Sequence, residues 1–180
     1  VPDLAARLRE GRALTLRSTR YFLFEPPHHI APPGLVRLVR DCLEEGFVPI
    51  LTHPERLTWI EKQYELICEI DEEGAAVQLT AASITGRFGE RAKYWSQRML
   101  DEGRVDLIAS DAHDVRRRPP ILSAARDAIA ERHGAELAEL LTKRNPIAIL
   151  RDAPLQPKQR RSLPQEKQPL LPRILKSLWQ

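Results

Sequence analysis

The chain has 180 residues, of which 42% are hydrophobic and 29% charged, as expected for one soluble globular domain with a single core. Its net charge of +3 is unevenly placed: residues 151–180 contain seven Lys or Arg and two Asp or Glu, whereas residues 1–150 contain 21 and 23. The slightly acidic body argues against nucleic acid as a partner. Two cysteines at apolar helix positions argue against a disulfide framework, and the sequence lacks a signal peptide or a long apolar run, which predicts a cytoplasmic protein.

Glycine and proline positions divide the body into alternating strands and helices. Apolar stretches predict strands, and amphipathic stretches that end at glycine predict helices. The predicted strands are 20–24, 47–51, 75–80 and 105–109. The predicted helices are 1–11, 35–43, 59–73, 89–102, 120–133 and 135–144, the last of which is expected to end at Asn145-Pro146.

Strands that alternate with helices of this length predict an α/β fold with parallel strands and right-handed crossovers. Four parallel strands do not close a barrel, because about eight are needed. Two architectures are therefore open: a small open sheet, or the C-terminal part of a distorted (β/α) barrel, in which case Val1 is not the true start. Metal-capable side chains after the strands, and the lack of a Gly-rich phosphate loop, favour the barrel. Such a partial barrel is expected to expose an apolar inner face, to bind metal weakly and to associate.

Residues 151–180 are predicted to form a basic tail next to a domain of residues 1–150. Gln, Pro, Lys and Arg dominate residues 154–169, which predicts disorder because few of these side chains can be buried. Apolar residues near the chain end follow helical spacing and predict a short amphipathic helix that docks on the body, a partner or a membrane surface. They are Leu171, Ile174, Leu175 and Leu178.

Three of the predicted strands are followed by side chains that can bind a metal. Glu25 follows the first strand, His53 the second, and Asp111 and His113 the fourth. Taken singly, His53 fits a strand cap, and the Asp-x-His pair fits the opening of a turn. One shared site explains all of them together, because the carboxyl ends of parallel strands meet at one edge. Carboxylate and imidazole ligands indicate Zn, Mn or Fe.

Arginines follow strands at the same edge. Arg56, Arg87 and Arg118 are candidates for phosphate contact, because a guanidinium group can bind two phosphate oxygens at once. The alternative for each is a surface salt bridge, and it is favoured for Arg87 and for the Arg116–Arg117 pair. The sequence contains no Cys-x5-Arg loop, which excludes covalent cysteine phosphatase chemistry.

Four segments together resemble the manganese-dependent bacterial protein-tyrosine phosphatases of capsule and exopolysaccharide operons, which are PHP-domain (polymerase and histidinol phosphatase) proteins. The similarity covers roughly residues 5–150. The segments are Thr19-Arg-Tyr…Glu25, Ile50-Leu-Thr-His-Pro-Glu-Arg56, Gln78…Ser83-x-x-Gly86-x-Phe-Gly89 and Ala109-Ser-Asp-Ala-His113…Arg118-Pro-Pro120. Two differences stand out: the chain has no His-x-His strand, with which the family begins, and Asp114 stands where the family typically has Asn.

The resemblance implies a PHP-type barrel with a manganese cluster at its mouth, although other divalent metals are open. It implies that Glu25, His53, Asp111 and His113 are metal ligands and that Arg56 and Arg118 are the catalytic, phosphate-binding arginines. The expected reaction is hydrolysis of protein phosphotyrosine, on a tyrosine autokinase that controls polysaccharide export. The alternatives are a PHP phosphoesterase for a small molecule and an inactive truncated module that binds metal or a partner. Self-association is left open, and a membrane is expected to be contacted only indirectly or through the tail.

Overall fold

The computed structural model of the protein describes residues 3–161. Its strands are Tyr21–Phe24 (β1), Val48–Thr52 (β2), Ala76–Thr80 (β3) and Leu107–Ala109 (β4). Its α-helices are Leu4–Arg9 (α1), Leu35–Glu44 (α2), Tyr64–Glu73 (α3), Ala81–Ile84 (α4), Glu90–Asp101 (α5), Ser123–His133 (α6), Ala135–Glu139 (α7) and Asn145–Leu150 (α8). Single 3-10 turns occur at Leu16–Ser18 and Pro54–Arg56, and a π-helical turn, Leu140–Arg144, joins α7 to α8. None of these helices has the length and apolar character that crossing a bilayer requires.

The four strands form one parallel sheet in the order β1-β2-β3-β4. This arrangement confirms the predicted α/β fold, in which each strand is followed by a helical crossover to its neighbour. Because all four strands run in the same direction, their carboxyl ends lie along one edge of the sheet. Glu25, His53 and Asp111 come directly after β1, β2 and β4 and are thereby brought to that edge.

The larger part of the core lies between the helices and one face of the sheet. Helix α2 shows how the sequence produces it, because its buried residues Leu35, Val39 and Cys42 recur at helical spacing on one side. Burial raises the pKa of the Cys42 thiol to about 11, so it packs as a small apolar group. Cys42 and Cys68 are both free thiols, as predicted.

The opposite face of the sheet carries a smaller apolar cluster. Tyr21, Ile50, Ala76 and Leu107 are buried there with Ile149 of α8, and Leu155 packs against the group. The expectation of an exposed inner face is therefore wrong for most of it. Leu23, 59% exposed, remains open beside the cluster.

Helix α8 itself contradicts the prediction that Asn145-Pro146 ends the preceding helix. Pro146 lies in the first turn of α8, where a missing N–H removes no helical hydrogen bond. Asn145 is buried, and its side-chain amide donates to the backbone carbonyl of Asp106 at 2.7 Å. This contact fixes α8 to the start of β4. The apolar side of α8 thereby covers the inner face of the sheet.

The first part of the predicted tail is also not disordered. Residues 153–161 run along the body and place Lys158 and Arg160 on the buried carboxylate of Asp71. The approach is close: a Cβ at Gly103 would lie 2.2 Å from the carbonyl oxygen of Gln159. We call residues 153–161 the strap. The predicted helix near residues 171–178 lies outside the described residues.

Candidate functional site

A cleft of about 380 Å³ opens over the inner face of the sheet at its carboxyl edge. Its floor includes Ile50 and Gln78, and α8 contributes Ile149 to its wall. Three of the predicted site residues, Glu25, His53 and Asp111, line it, so the structure brings side chains from the ends of three strands to one place.

The backbone is strained where two of these side chains leave their strands. His53 has a φ of 35° and Asp111 a φ of 51°, in a region that residues with a side chain rarely adopt. The N–H of His53 donates to the carbonyl of Gln78 at 2.9 Å, so strand pairing continues to His53 before the chain turns at Pro54. Such strain is concentrated at functional sites, where surrounding contacts hold the backbone in place.

Glu25 and His53 form the first pair in the cleft. The His53 Nε2 atom lies 3.5 Å from Glu25 Oε1. Burial lowers the pKa of His53 and outweighs the opposite effect of the Glu25 carboxylate, which favours the neutral imidazole that binds metals. Its other ring nitrogen, Nδ1, is buried and has no hydrogen-bond partner within residues 3–161.

The carboxylate of Asp111 binds two arginines at the side of the cleft. Arg56 Nη1 donates to Asp111 Oδ2 at 2.7 Å, and Arg118 Nη2 donates to the same oxygen. Both guanidinium groups also lie near the ring of Phe88, with Cζ at 4.9 Å from its centroid for Arg56 and 5.5 Å for Arg118. The two predicted phosphate-binding arginines therefore meet at one point beside the cleft.

His113 stands apart from this group. Its side chain is 59% exposed, and its Nδ1 lies 2.9 Å from the backbone oxygen of Asp111. In the described part of the chain, no three His, Cys, Asp or Glu side chains converge as a metal site requires. The donor chemistry of Glu25 and His53 fits a divalent metal, but only this pair is in place, and Asp111 is occupied by arginines.

Glu55 is a site residue for which the sequence analysis predicted no role. It is fully buried, and its Oε1 accepts hydrogen bonds from Thr80 N at 3.0 Å and Ser83 Oγ at 2.7 Å. Burial raises its pKa to about 7. The contact ties the turn that carries Arg56 to the end of β3. A carboxylate in a turn gives no sequence signal of burial, although Glu55 does lie inside a motif of the resemblance.

Gln78 is a second such residue. It lines the cleft from the middle of β3, is 5% exposed, and its side-chain nitrogen has no partner among residues 3–161. A lone amide in an otherwise apolar strand is the sequence signal that could have indicated it.

The loop after β4 differs from expectation. Within residues 3–161, no carboxylate lies within 4.0 Å of the guanidinium group of Arg87, Arg116 or Arg117, so the favoured surface salt bridges are absent there. Asp114 instead accepts hydrogen bonds from the backbone N–H groups of Arg116 at 2.7 Å and Arg117 at 2.5 Å, which lower its pKa. Asp114 therefore shapes the loop and is not among the residues that line the cleft.

Other histidine and arginine side chains near β1 lie away from the cleft. The rings of His28 and His29 pack edge to face, 4.9 Å apart, and neither lines the cleft. Arg20, directly before β1, binds Asp152, with Nε 3.0 Å from Oδ1, and so has a structural role.

Comparison with known proteins identifies the family. Residues 2–151 match the family described as capsular polysaccharide synthesis, CpsB/CapC. The chain belongs to this family. Among CpsB/CapC proteins, it is 34% identical over 166 residues to the tyrosine-protein phosphatase YwqE of Bacillus subtilis and 29% identical over 155 residues to the tyrosine-protein phosphatase CpsB of Streptococcus pneumoniae.

A solved structure supports the same relationship. One chain of the crystal structures of YwqE and CpsB, described as unique metal-dependent tyrosine phosphatases, superposes with a TM-score of 0.83 at 30% identity. That match covers 91% of this chain and 66% of the other. The sequence matches cover 89% of this chain and 63% of YwqE, and 83% of this chain and 64% of CpsB. The chain thus spans slightly less than two thirds of the relatives it matches.

Proposed function

We propose that the chain hydrolyses phosphotyrosine in a protein substrate with the aid of a divalent metal, as the names of YwqE and CpsB state for those relatives. The observation that carries the proposal is the meeting of Arg56 and Arg118 on one carboxylate oxygen, beside the Glu25–His53 pair. Two guanidinium groups, a neutral imidazole and two carboxylates thus lie in the cleft or directly beside it. The proposed metal is Mn²⁺, as in the family that the sequence resembles.

Glu25, His53, Asp111 and His113 would hold the metal. A bound divalent ion would supply a water of lowered pKa and positive charge next to the phosphoryl group. The 3.5 Å distance between His53 Nε2 and Glu25 Oε1 supports the first two ligands, and His53 Nδ1 has no competing hydrogen-bond partner within residues 3–161. Asp111 and His113 are neighbours in one loop, and they would join the site when the arginines move to substrate.

Arg56 and Arg118 would bind the phosphate oxygens. A phosphate is tetrahedral, but two of its oxygens offer a guanidinium group paired acceptors as a carboxylate does, with more negative charge. Asp111 therefore holds both arginines close to where they are needed, and Phe88 supports both guanidinium groups. As charge develops on the phosphoryl oxygens, two fixed donors stabilise it without reorganisation of water. Arg87, in the neighbouring loop, would contact a more distant part of the substrate.

Three further proposals concern the protein substrate, the barrel architecture and the cellular compartment. The phosphoprotein would be a tyrosine autokinase that controls capsule or exopolysaccharide export, and the reaction would take place in the cytoplasm. The four strands would be one arc of a distorted (β/α) barrel of PHP type. The parallel order β1-β2-β3-β4 and the cleft over the inner face support this proposal.

The test is hydrolysis of matched peptides with Mn²⁺. A phosphotyrosine peptide should release phosphate, and the same peptide with phosphoserine should release much less. Arg118→Lys should lose turnover without losing metal, because lysine keeps the charge but not the fork geometry. Equal rates on both peptides and on simple alkyl phosphates would favour a small-molecule phosphoesterase. Absence of hydrolysis in a folded, metal-saturated protein would favour the binding module.

A further inference from the structure

A second cavity lies next to the arginine pair and is not used in the proposed reaction. It encloses about 180 Å³, and its lining includes Arg87, Phe88, Arg117, Arg118 and Ile121. Arg118 lines this cavity and donates to Asp111, which lines the larger cleft. The Arg118–Asp111 contact therefore connects the two cavities.

The cavity has an excess of positive charge. None of the residues that line it is acidic. Arg87 and Arg117 have no carboxylate partner within residues 3–161, and Nη2 of Arg87 donates only to the carbonyl of Arg117, at 3.3 Å. The Nε atom of Arg118 is buried and has no acceptor in the described structure.

Many arginines elsewhere among the described residues do have such partners, although Arg7, Arg17 and Arg151 do not. Arg91 binds Glu61 at 2.7 Å, and Arg132 binds Asp101 at 2.6 Å. Guanidinium groups that share a cavity repel each other unless an anion lies between them. The cavity therefore has the charge and the donors of an anion site that residues 3–161 do not fill.

We infer that this cavity is a second anion subsite, which binds an Asp or Glu side chain close to the phosphotyrosine of a peptide substrate. The inference rests on the proposed function for the position of the phosphotyrosine. With the phosphate on Arg56 and Arg118, the side chain two positions away points to the same face of an extended peptide, about 7 Å to the side, so that its carboxylate can reach a cavity lined by Arg118. A carboxylate would receive paired hydrogen bonds from Arg87 and Arg117.

The phosphotyrosine ring is the competing occupant of the same cavity. Phe88 and Ile121 could pack against a ring. A neutral ring would, however, leave Arg87 and Arg117 without a counter-charge, whereas a carboxylate neutralises them. The charge of the lining thus favours the acidic side chain.

The experiment compares two phosphotyrosine peptides that differ only in their flanks, one with Glu on both sides and one with Gln. We expect kcat/KM to be about tenfold higher for the Glu peptide at low salt, mainly through KM, and the ratio to fall as salt screens the charges. In the double variant Arg87→Gln/Arg117→Gln the ratio should fall to about one. Arg37→Gln, which removes an exposed arginine of α2, is the matched control and should keep the native ratio.

Binding of the same two peptides, labelled with a fluorophore and measured by anisotropy, separates this inference from the proposed function. If neither peptide is hydrolysed but the Glu peptide binds more tightly and the double variant removes that preference, the subsite stands and the phosphatase proposal fails. Equal binding and equal turnover of the two peptides by the native protein would overturn the subsite. A double variant that weakens both peptides equally would assign the cavity to the phosphotyrosine ring and would also overturn it.

Discussion

Arg56 and Asp111 are 55 residues apart in the chain, yet Nη1 of Arg56 lies 2.7 Å from Oδ2 of Asp111. The pair joins the residues after β2 and β4, although β3 lies between these strands in the sheet. Phe88, from the loop between α4 and α5, lies beneath the guanidinium group of Arg56, whose Cζ is 4.9 Å from the ring centroid. Asp111 thus holds a phosphate-binding group in position through a contact that a phosphate can replace.

The first prediction concerns the replacement of the Asp111 carboxylate by a phosphate on the two arginines. Arg56→Lys and Arg118→Lys should each lower kcat/KM for a phosphotyrosine peptide by about 100-fold, because lysine loses the paired hydrogen bonds to the phosphoryl oxygens. Steady-state kinetics with Mn²⁺ provide the measurement, and metal content should be unchanged. Arg126→Lys, on the exposed side of α6, is the matched control. Native turnover in both variants would return these arginines to a structural role.

The second prediction concerns the metal. His53→Ala and Glu25→Gln should each weaken Mn²⁺ binding at least tenfold, because each removes one of two adjacent donors. Isothermal titration calorimetry measures the affinity directly, without the need for turnover. His133→Ala, at the end of α6, removes an imidazole that does not line the cleft and should bind Mn²⁺ like the native protein. Unchanged affinity in both cleft variants would contradict the site.

The parallel direction of the strands and the edge that carries the candidate site could be predicted from the sequence because both depend on local patterns. Apolar runs between glycines give parallel strands, and residues directly after those strands must lie at one edge. The details of the site could not be predicted in this way. The positive φ of Asp111 is one such detail, and the contact of its carboxylate with Arg56, which depends on side-chain positions across β3, is another. Neither has a signature in residue spacing.

The prediction of disorder was wrong for the strap, and amino-acid composition alone does not show the physical reason. Residues rich in Lys, Arg, Gln and Pro are assigned to disorder because they bury little apolar surface. Here the strap is held by charge: Asp71 at the end of α3 is completely buried and binds Arg104 at 2.9 Å and Arg160 at 2.8 Å, together with Lys158. A buried carboxylate requires such partners, so the cationic residues are what fixes the segment.

The third prediction tests that explanation. Lys158→Met should lower the free energy of unfolding by about 2 kcal/mol, because it leaves the buried carboxylates of Asp71 and Asp106 with one cation fewer. Urea denaturation measures the change. The matched control is Lys143→Met, since the Lys143–Glu139 pair on the helix surface is exposed and its loss should barely alter stability. A stability loss no larger than that of the control would mean that the strap contributes little to the body.

The last prediction concerns pH, and two carboxyl groups determine its sign. Burial alone raises the pKa of Asp71, but the hydrogen bond from Arg160 and the charge of Lys158 outweigh it and hold the pKa below its usual range. Its contribution to stability is therefore present above the pKa of the unfolded chain, about 3.9, and is lost as the pH falls through the lower folded value. Asp106 acts in the opposite sense: burial raises its pKa despite Lys158, so its protonation favours the folded state as the pH falls.

Removal of Lys158 raises the folded pKa of both groups, and both changes act in the same direction. The native protein should therefore exceed Lys158→Met in free energy of unfolding by the full amount where both carboxyl groups are ionised, and the difference should shrink as the pH falls from neutral into the acid range and the two groups take up protons. Urea denaturation of both proteins across this range measures the difference directly. The shrinkage should be absent in the Lys143→Met control. A difference that stays constant with pH would show that Lys158 stabilises the strap through the packing of its alkyl chain and not through its charge.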